Sequence, residues 1–399
     1  MSIAIIGGGI GGLAAALALL QRGFEVDVYE QASELRELGA GVQATPNGAK
    51  VLMALGLQQD MDSLGTPTTG KEAYHWRTGE VFPFQRLGKS ALELHGAPYL
   101  TFHRADLHDA LRRAVLSLKP DALHLGFACN DIAQDTQGVT LSFANGQQRR
   151  AASAIGADGV HSRVRQQLLG ATPTEFTGVY AWRGLIPAQA LPQGVNINGG
   201  GMWLGSTAHI ITYPIRQRSQ LNFVGLVDSD RWQVESWSTV GTAQECLANF
   251  PGWHPHVEHM IRSIPVLHKW ALVVRRPLES WSRGRVTLLG DAAHPTLPFL
   301  SQGANMAMED ALVLARCLQQ QPQDPQAAFQ QYEQSRVERT SRIVRSSAEQ
   351  VRRVHAPELE SAETARPYIM REWASANVQE RYDWIWGYDA RHAALGRPA

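Results

Sequence analysis

Hydrophobic positions along this chain fall into short strand-like runs that alternate with helical stretches. The run IAII (3–6) is apolar and rich in β-branched residues, as a central parallel strand requires. An apolar helix is expected over 12–22, closed by Gly23, and FEVDVYE (24–30) reads as a second strand. A glycine-rich loop and a short amphipathic helix follow at 39–57, and a strand end, a polar elbow and a helix at 100–118. Strands and turns alternate over 121–159, with the Asn145-Gly146 pair marking a hairpin. Residues 177–230 predict a second sheet, 285–318 a strand, loop and long helix, and 326–355 a helix rich in Arg, Glu and Gln.

Composition narrows this little. The length of 399 residues suggests two domains. Lys+Arg 37 balances Asp+Glu 37, which gives no electrostatic reason to expect nucleic acid or an anionic membrane. Cys129, Cys246 and Cys317 are odd in number and far apart, so neither a metal site nor a disulfide framework is expected. Reduced thiols fit a cytoplasmic protein. The apolar run at 3–20 lacks a basic n-region, contains five glycines and falls short of a membrane span.

Candidate chemistry begins at Gly7, Gly9 and Gly12, which fit GxGxxG between a strand and a helix. Gly7 serves the tight turn, Gly9 lets a pyrophosphate approach the backbone, and Gly12 lets helix and strand pack closely. The helix N-terminus offers free N–H groups to phosphate. Glu30 ends the second strand, where a carboxylate can accept adenosine ribose hydroxyls. This pattern predicts a dinucleotide site without choosing between FAD and NAD.

Two further motifs make that choice. GADGVHSRVR (156–165) carries Asp158, Ser162 and Arg165 in a DGxxSxxR pattern, and GDAAHPTLPFLSQGANMAMEDA spans 290–311. With the opening fingerprint, they resemble the single-component FAD aromatic hydroxylases, the p-hydroxybenzoate hydroxylase superfamily, over nearly the whole chain. GAGVQATPNG, HRADLHDAL, AWRGLIP, HIITYP and DWIWGYD narrow the resemblance to 3-hydroxybenzoate 6-hydroxylase, salicylate hydroxylase and 6-hydroxynicotinate 3-monooxygenase.

The resemblance implies an α/β fold. A Rossmann-like FAD domain (1–75, 100–175 and 270–325) interleaves with a sheet domain for substrate (76–99 and 176–269), and 326–399 forms a helical region for packing or dimer contact. It also implies tight, non-covalent FAD, transient NADH or NADPH, and oxygen transfer from a flavin C4a-hydroperoxide to an electron-rich ring. Asp291 would bind the ribityl chain, and Gly303, Ala304 and Asn305 would face the flavin from a helix start. Arg104 would lie beside the flavin and Asp158 near both FAD and the pyridine nucleotide. A second GxGxxG and a redox CxxC are both lacking, which disfavours a disulfide reductase.

On the substrate side, residues 209, 211 and 213 share one face if GSTAHIITYPIR is a strand. His209 could then take a phenolic proton, with Tyr213 beside it. Trp203, Pro298 and Phe299 are the expected pocket walls. Gln43 matches the 3-hydroxybenzoate type, whereas Pro298-Phe299 matches neither that type nor the pyridine type. His294 ranks below His209 because the family keeps it within the flavin loop. The expected activity is hydroxylation of a small phenolic carboxylate using O2. The alternatives are hydroxylation of a quinolone, phenazine or quinone precursor, and an FAD oxidase or dehydrogenase.

Overall fold

The computed structural model describes residues 1–35, 40–171, 173–230, 239–373 and 375–397. Its architecture is two large sheets with a cavity between them and a helical layer closing one side. The first sheet has six strands in the order Ser282–Arg283, Val286–Leu288, Ser153–Gly156, Ser2–Ile6, Glu25–Glu30, Leu123–Leu125. All pairings are parallel except that of the outermost strand, Ser282–Arg283. Parallel strands covered on both faces are apolar throughout, as Ile3–Ile6 and Ala154–Ile155 are. Helix Ile10–Leu20 crosses between the first two strands and packs on helix Gly303–Gln320. It starts two residues earlier than expected, because Gly9 is its N-cap and Gly11 and Gly12 lie within its first turn. The hairpin at Asn145-Gly146 forms, with Gly146 at φ 80°.

The second sheet has eight strands, in the order Thr239–Gly241, Leu267–Val274, Glu175–Pro187, Gln220–Asp228, Ala208–Ile215, Gly201–Leu204, Gly70–His75, Val81–Arg86. Strand alternation sorts its side chains. Tyr180, Trp182, Trp203, Ile210, Phe223 and Tyr74 pack on one face against helices Ala243–Leu247 and Pro255–Arg262. Arg183, Ile211, Tyr213, Asn222 and Val224 point the other way, into the cavity.

Two segments belong to this sheet although the sequence patterns assigned them to the nucleotide domain. Gly70–His75 pairs with Gly201–Leu204, and Trp270–Val274 continues a strand that pairs with Glu175–Pro187. The turn residues Gly65 and Pro67 precede the first and Gly70 opens it without saying which sheet it joins, and the second begins inside strand Leu267–Val274. Helix Pro325–Val354 is 30 residues long, about 45 Å at 1.5 Å per residue. The helices after it, Ala362–Glu372 and Ser375–Trp386, bury Tyr368, Trp373, Tyr382 and Trp386 against Phe82, Phe84 and Tyr99. The helical region is therefore part of the substrate-side wall rather than a separate appendage.

Candidate active site

The glycine turn shapes one end of the cavity. Gly7 has φ 108°, and a Cβ there would lie 2.4 Å from the carbonyl oxygen of Ala157. A Cβ on Gly12 would lie 2.0 Å from the carbonyl oxygen of Gly7. These two glycines close the turn. Gly9 differs, since a Cβ would have nothing within 4 Å and the residue lines the cavity. Glu30 holds the loop from the neighbouring strand: its Oε2 accepts from the Gly8 N–H at 2.7 Å and its Oε1 from the Ala32 N–H at 2.9 Å.

The cavity is about 320 Å³ and runs from this turn to the face of the large sheet. Arg104, Asp291, Gly303 and Ala304 line it, as do Pro298 and Phe299. Asp291 lines the cavity, and the surrounding protein pushes its pKa up, with His294 and Arg104 opposing. A carboxylate in that position wants hydroxyl donors. Gly303 and Ala304 begin helix Gly303–Gln320, whose first N–H groups lack intrahelical partners. An open glycine turn, a carboxylate facing empty space and a helix start on one cavity suit a long ligand with phosphate at one end and a ribityl-like chain beyond.

Two residues expected at the cofactor do not line the cavity. The Asp158 carboxylate turns to its own helix start, accepting from the Ser162 hydroxyl at 2.5 Å and from the N–H groups of Arg163 at 2.8 Å and Val164 at 3.1 Å. Its neighbours Ala157 and Gly159 line the cavity instead. Asn305 is fully buried as a clasp, donating to the carbonyls of Gln43 at 2.9 Å and Ser301 at 2.6 Å and accepting from the Thr45 N–H at 3.2 Å. Trp203 is also misplaced as a pocket wall. It pairs with Ile210, so alternation puts it on the far face, stacked on Tyr74 with ring centroids 4.7 Å apart. His209, one residue along, faces the cavity side.

A smaller cavity of about 40 Å³ adjoins the large one and shares Gln43, Ile211, Phe299 and Ser301 with it. His209 lines the smaller cavity and Tyr213 the larger. His209 is completely buried; burial, and then His355, hold its pKa well below the ordinary value. Its Nδ1 lies 2.7 Å from His355 Nε2, and its Nε2 is buried with no hydrogen-bond partner in the structure. Burial raises the pKa of Tyr213, with Gln43 and Arg183 opposing. Gly41 makes room for that phenol, since a Cβ there would stand 2.4 Å from the Tyr213 ring.

Lys71 lines the smaller cavity too. Its Nζ donates to Gln43 Oε1 at 2.9 Å and to the Tyr99 hydroxyl at 3.0 Å, and Tyr99 donates to the same Gln43 oxygen. Burial alone brings the Lys71 pKa down to about 8, and no carboxylate pairs with it among the described residues. Sequence patterns gave no sign of Lys71, since a lysine in a short mixed strand reads as solvated. Arg183 lines the large cavity, 4.8 Å from the Trp270 ring centroid. His294 is held apart from this chemistry: its Nε2 lies 2.6 Å from Asp310 Oδ2, beneath the flavin loop.

Comparison with known proteins fixes the family. The family described as FAD binding domain matches residues 1–347. The 3-amino-4-hydroxybenzoate 2-monooxygenase of Streptomyces platensis is 38% identical over 97% of this chain and 96% of its own length. The chain belongs to the FAD-binding-domain family. It is an FAD-dependent aromatic monooxygenase. The 6-hydroxynicotinate 3-monooxygenase of Pseudomonas fluorescens is 35% identical, over 99% of this chain and 97% of that one. The crystal structure of Klebsiella pneumoniae HpxO with FAD and uric acid superposes with a TM-score of 0.81 at 28% identity, covering 93% and 92% of the two chains.

In this monooxygenase the cavity residues that could hold FAD are Gly9 and the helix start behind it for pyrophosphate, Asp291 for the ribityl hydroxyls, and Gly303 and Ala304 for the ring system. When bound, FAD takes electrons from NAD(P)H and activates dioxygen. The protein's own part is to keep water away and hold the aromatic ring in line. Leu297, Pro298, Phe299, Ile211 and Val224 form the apolar portion of that enclosure.

Proposed function

We propose that the substrate is a small phenolic carboxylate, hydroxylated with NAD(P)H and O2, and that His209 is the base that takes the phenolic proton. One observation carries the reading: the small cavity presents a buried imidazole nitrogen with no partner and a buried ammonium with no acid among the described residues. A phenol O–H answers the first and a carboxylate answers the second. Without them the imidazole nitrogen stays buried with no hydrogen bond and the ammonium stays a buried charge with no counter-charge, each at a cost of one to several kcal/mol. A benzoate-sized ring cannot fit the small cavity alone. It lies across the shared wall of Gln43, Ile211 and Phe299, with its polar end at His209 and Lys71 and its reactive carbon toward the flavin side.

Tyr213 approaches the ring from the large cavity as a hydrogen-bonding partner, since its raised pKa keeps it protonated. The relatives point the same way, because the substrates in their names, 3-amino-4-hydroxybenzoate and 6-hydroxynicotinate, join a ring hydroxyl to a carboxylate. Free Cys129, Cys246 and Cys317 suit a reducing cytoplasm.

The test is a panel of phenolic acids, each paired with the same phenol lacking its carboxylate. NADH and NADPH consumption and oxygen incorporation are measured for each. The reading expects at least one acid to be hydroxylated in preference to its paired phenol. Turnover confined to rings without a carboxylate, or pyridine nucleotide consumed with no oxygen entering any ring, contradicts it.

A further inference from the structure

We infer that His209, His355 and Asp228 form a proton relay that connects the buried end of the substrate cavity to solvent. The inference rests on reading His209 as the base. His209 Nδ1 and His355 Nε2 are 2.7 Å apart, and His355 Nδ1 and Asp228 Oδ1 are 2.6 Å apart. His209 is fully buried, the His355 side chain is 3% exposed, and the Asp228 side chain is 42% exposed. The three residues come from separate elements: strand Ala208–Ile215, the C-cap of helix Pro325–Val354, and the last position of strand Gln220–Asp228. The line therefore runs from the cavity, across the sheet face, to the end of an interior strand.

Hydrogen-bond logic assigns the resting protons. An ionised Asp228 only accepts, so His355 carries its proton on Nδ1 and leaves Nε2 as an acceptor. His209 then donates from Nδ1, which leaves Nε2 as a bare lone pair at the cavity. Of the four imidazole nitrogens in the relay, it is the one without a partner. The relay thus creates the base by fixing its tautomer.

It also explains how a histidine with so low a proton affinity can act. Burial, and then His355, disfavour a second proton on His209. As Nε2 takes the phenolic proton, the Nδ1 proton moves to His355 Nε2, the His355 Nδ1 proton moves to Asp228, and Asp228 releases it to water. The ring gains one negative charge and one proton leaves for solvent. When the hydroxylated product regains its phenolic proton, the same steps in reverse restore the starting tautomers. Lys71, Tyr99 and Tyr382 also line the cavity of His209, but none bonds its Nε2.

The test uses the holoenzyme and two readouts. In protein labelled with ¹⁵N-histidine, imidazole shifts should show both His209 and His355 as Nδ1–H tautomers. His355→Gln can still bridge Asp228 and His209 by hydrogen bonds, but it cannot pass a proton through. It should therefore keep FAD binding and substrate KM while lowering product formed per NADH by up to roughly 10²-fold, the lower end of the range for a positioned proton-transfer group. In His355→Ala, added imidazole should restore coupling in proportion to its concentration. Nε2–H on His209 in the resting enzyme overturns the relay. So does His355→Gln with wild-type coupling, provided His209→Ala is uncoupled. Wild-type coupling in His209→Ala overturns instead the assignment of the base.

Discussion

At the scale of single residues, the site separates positions that shape the backbone from positions that meet the ligand. Gly9 belongs to the second kind. Its backbone is extended, with φ −73° and ψ −177°, and a side chain there meets no protein atom. Gly9→Val should therefore fold with an unchanged apo-protein melting temperature yet lose FAD, because the valine fills the space for pyrophosphate. Flavin retained after gel filtration measures this, and full retention contradicts the assignment. Lys71→Met should raise KM for a phenolic carboxylate by roughly 10- to 150-fold, the equivalent of a charge-assisted hydrogen bond of about 1.5–3 kcal/mol. KM for the same phenol without its carboxylate should barely move. In the wild type, kcat/KM for the acid should fall as pH rises through about 8, because Lys71 is cationic below that value and neutral above it. The glycine turn was legible from its spacing, the shared strand face of His209 and Tyr213 from alternation, and Asp291 only from the family resemblance. Lys71, His355 and Asp228 were not. They meet only through pairings of strands and helices distant in sequence, and nothing local marks them.

At the scale of elements, the helix behind the flavin loop is anchored by a buried charge cluster. In the paired helices Gly303–Gln320 and Pro325–Val354, Arg336 Nη2 meets Glu309 Oε2 at 2.7 Å and Arg336 Nε meets Asp310 Oδ1 at 2.7 Å. Arg339 Nη2 reaches Glu309 Oε1 at 2.8 Å, and Asp310 also accepts from the Gly290 N–H at 3.1 Å. Asp291 and the start of the Gly303 helix thus depend on charges buried two layers away. Arg336→Met leaves two carboxylates undercompensated and should destabilise the protein by about 3–5 kcal/mol, read from the urea midpoint. Despite burial, His294 and Arg336 hold Asp310 down to about 2. Its contribution is complete above the ordinary carboxylate pKa and is lost as pH falls through about 2. Element types and the opening βαβ unit were readable from hydrophobic period. Sheet membership was not, since Gly70–His75 looks the same locally in either sheet. Trp203 shows the same limit: its size suggested a pocket wall, but strand alternation against His209 decided its face.

At the scale of the molecule, the cavity lies between the two sheets, with Gly9 and Asp291 on one side and Arg183, Asn222 and Val224 on the other. FAD held there would be within reach of both. Saturating FAD at about a hundred times its Kd should stabilise the fold by about 2.7 kcal/mol, seen as a higher melting temperature that climbs with FAD concentration. An apo-protein that melts at the holoenzyme temperature would contradict FAD binding to the folded state. The central claim is that this enclosure hydroxylates a ring after His209 takes its phenolic proton. The most direct measurement is product formed per NADH consumed by His209→Ala, with hydrogen peroxide quantified alongside. The account predicts coupled hydroxylation lowered by roughly 10²–10⁴-fold, the range for a positioned acid–base group, with FAD affinity unchanged and NADH oxidation diverted to peroxide. Hydroxylation at the wild-type rate and coupling in this variant would contradict it.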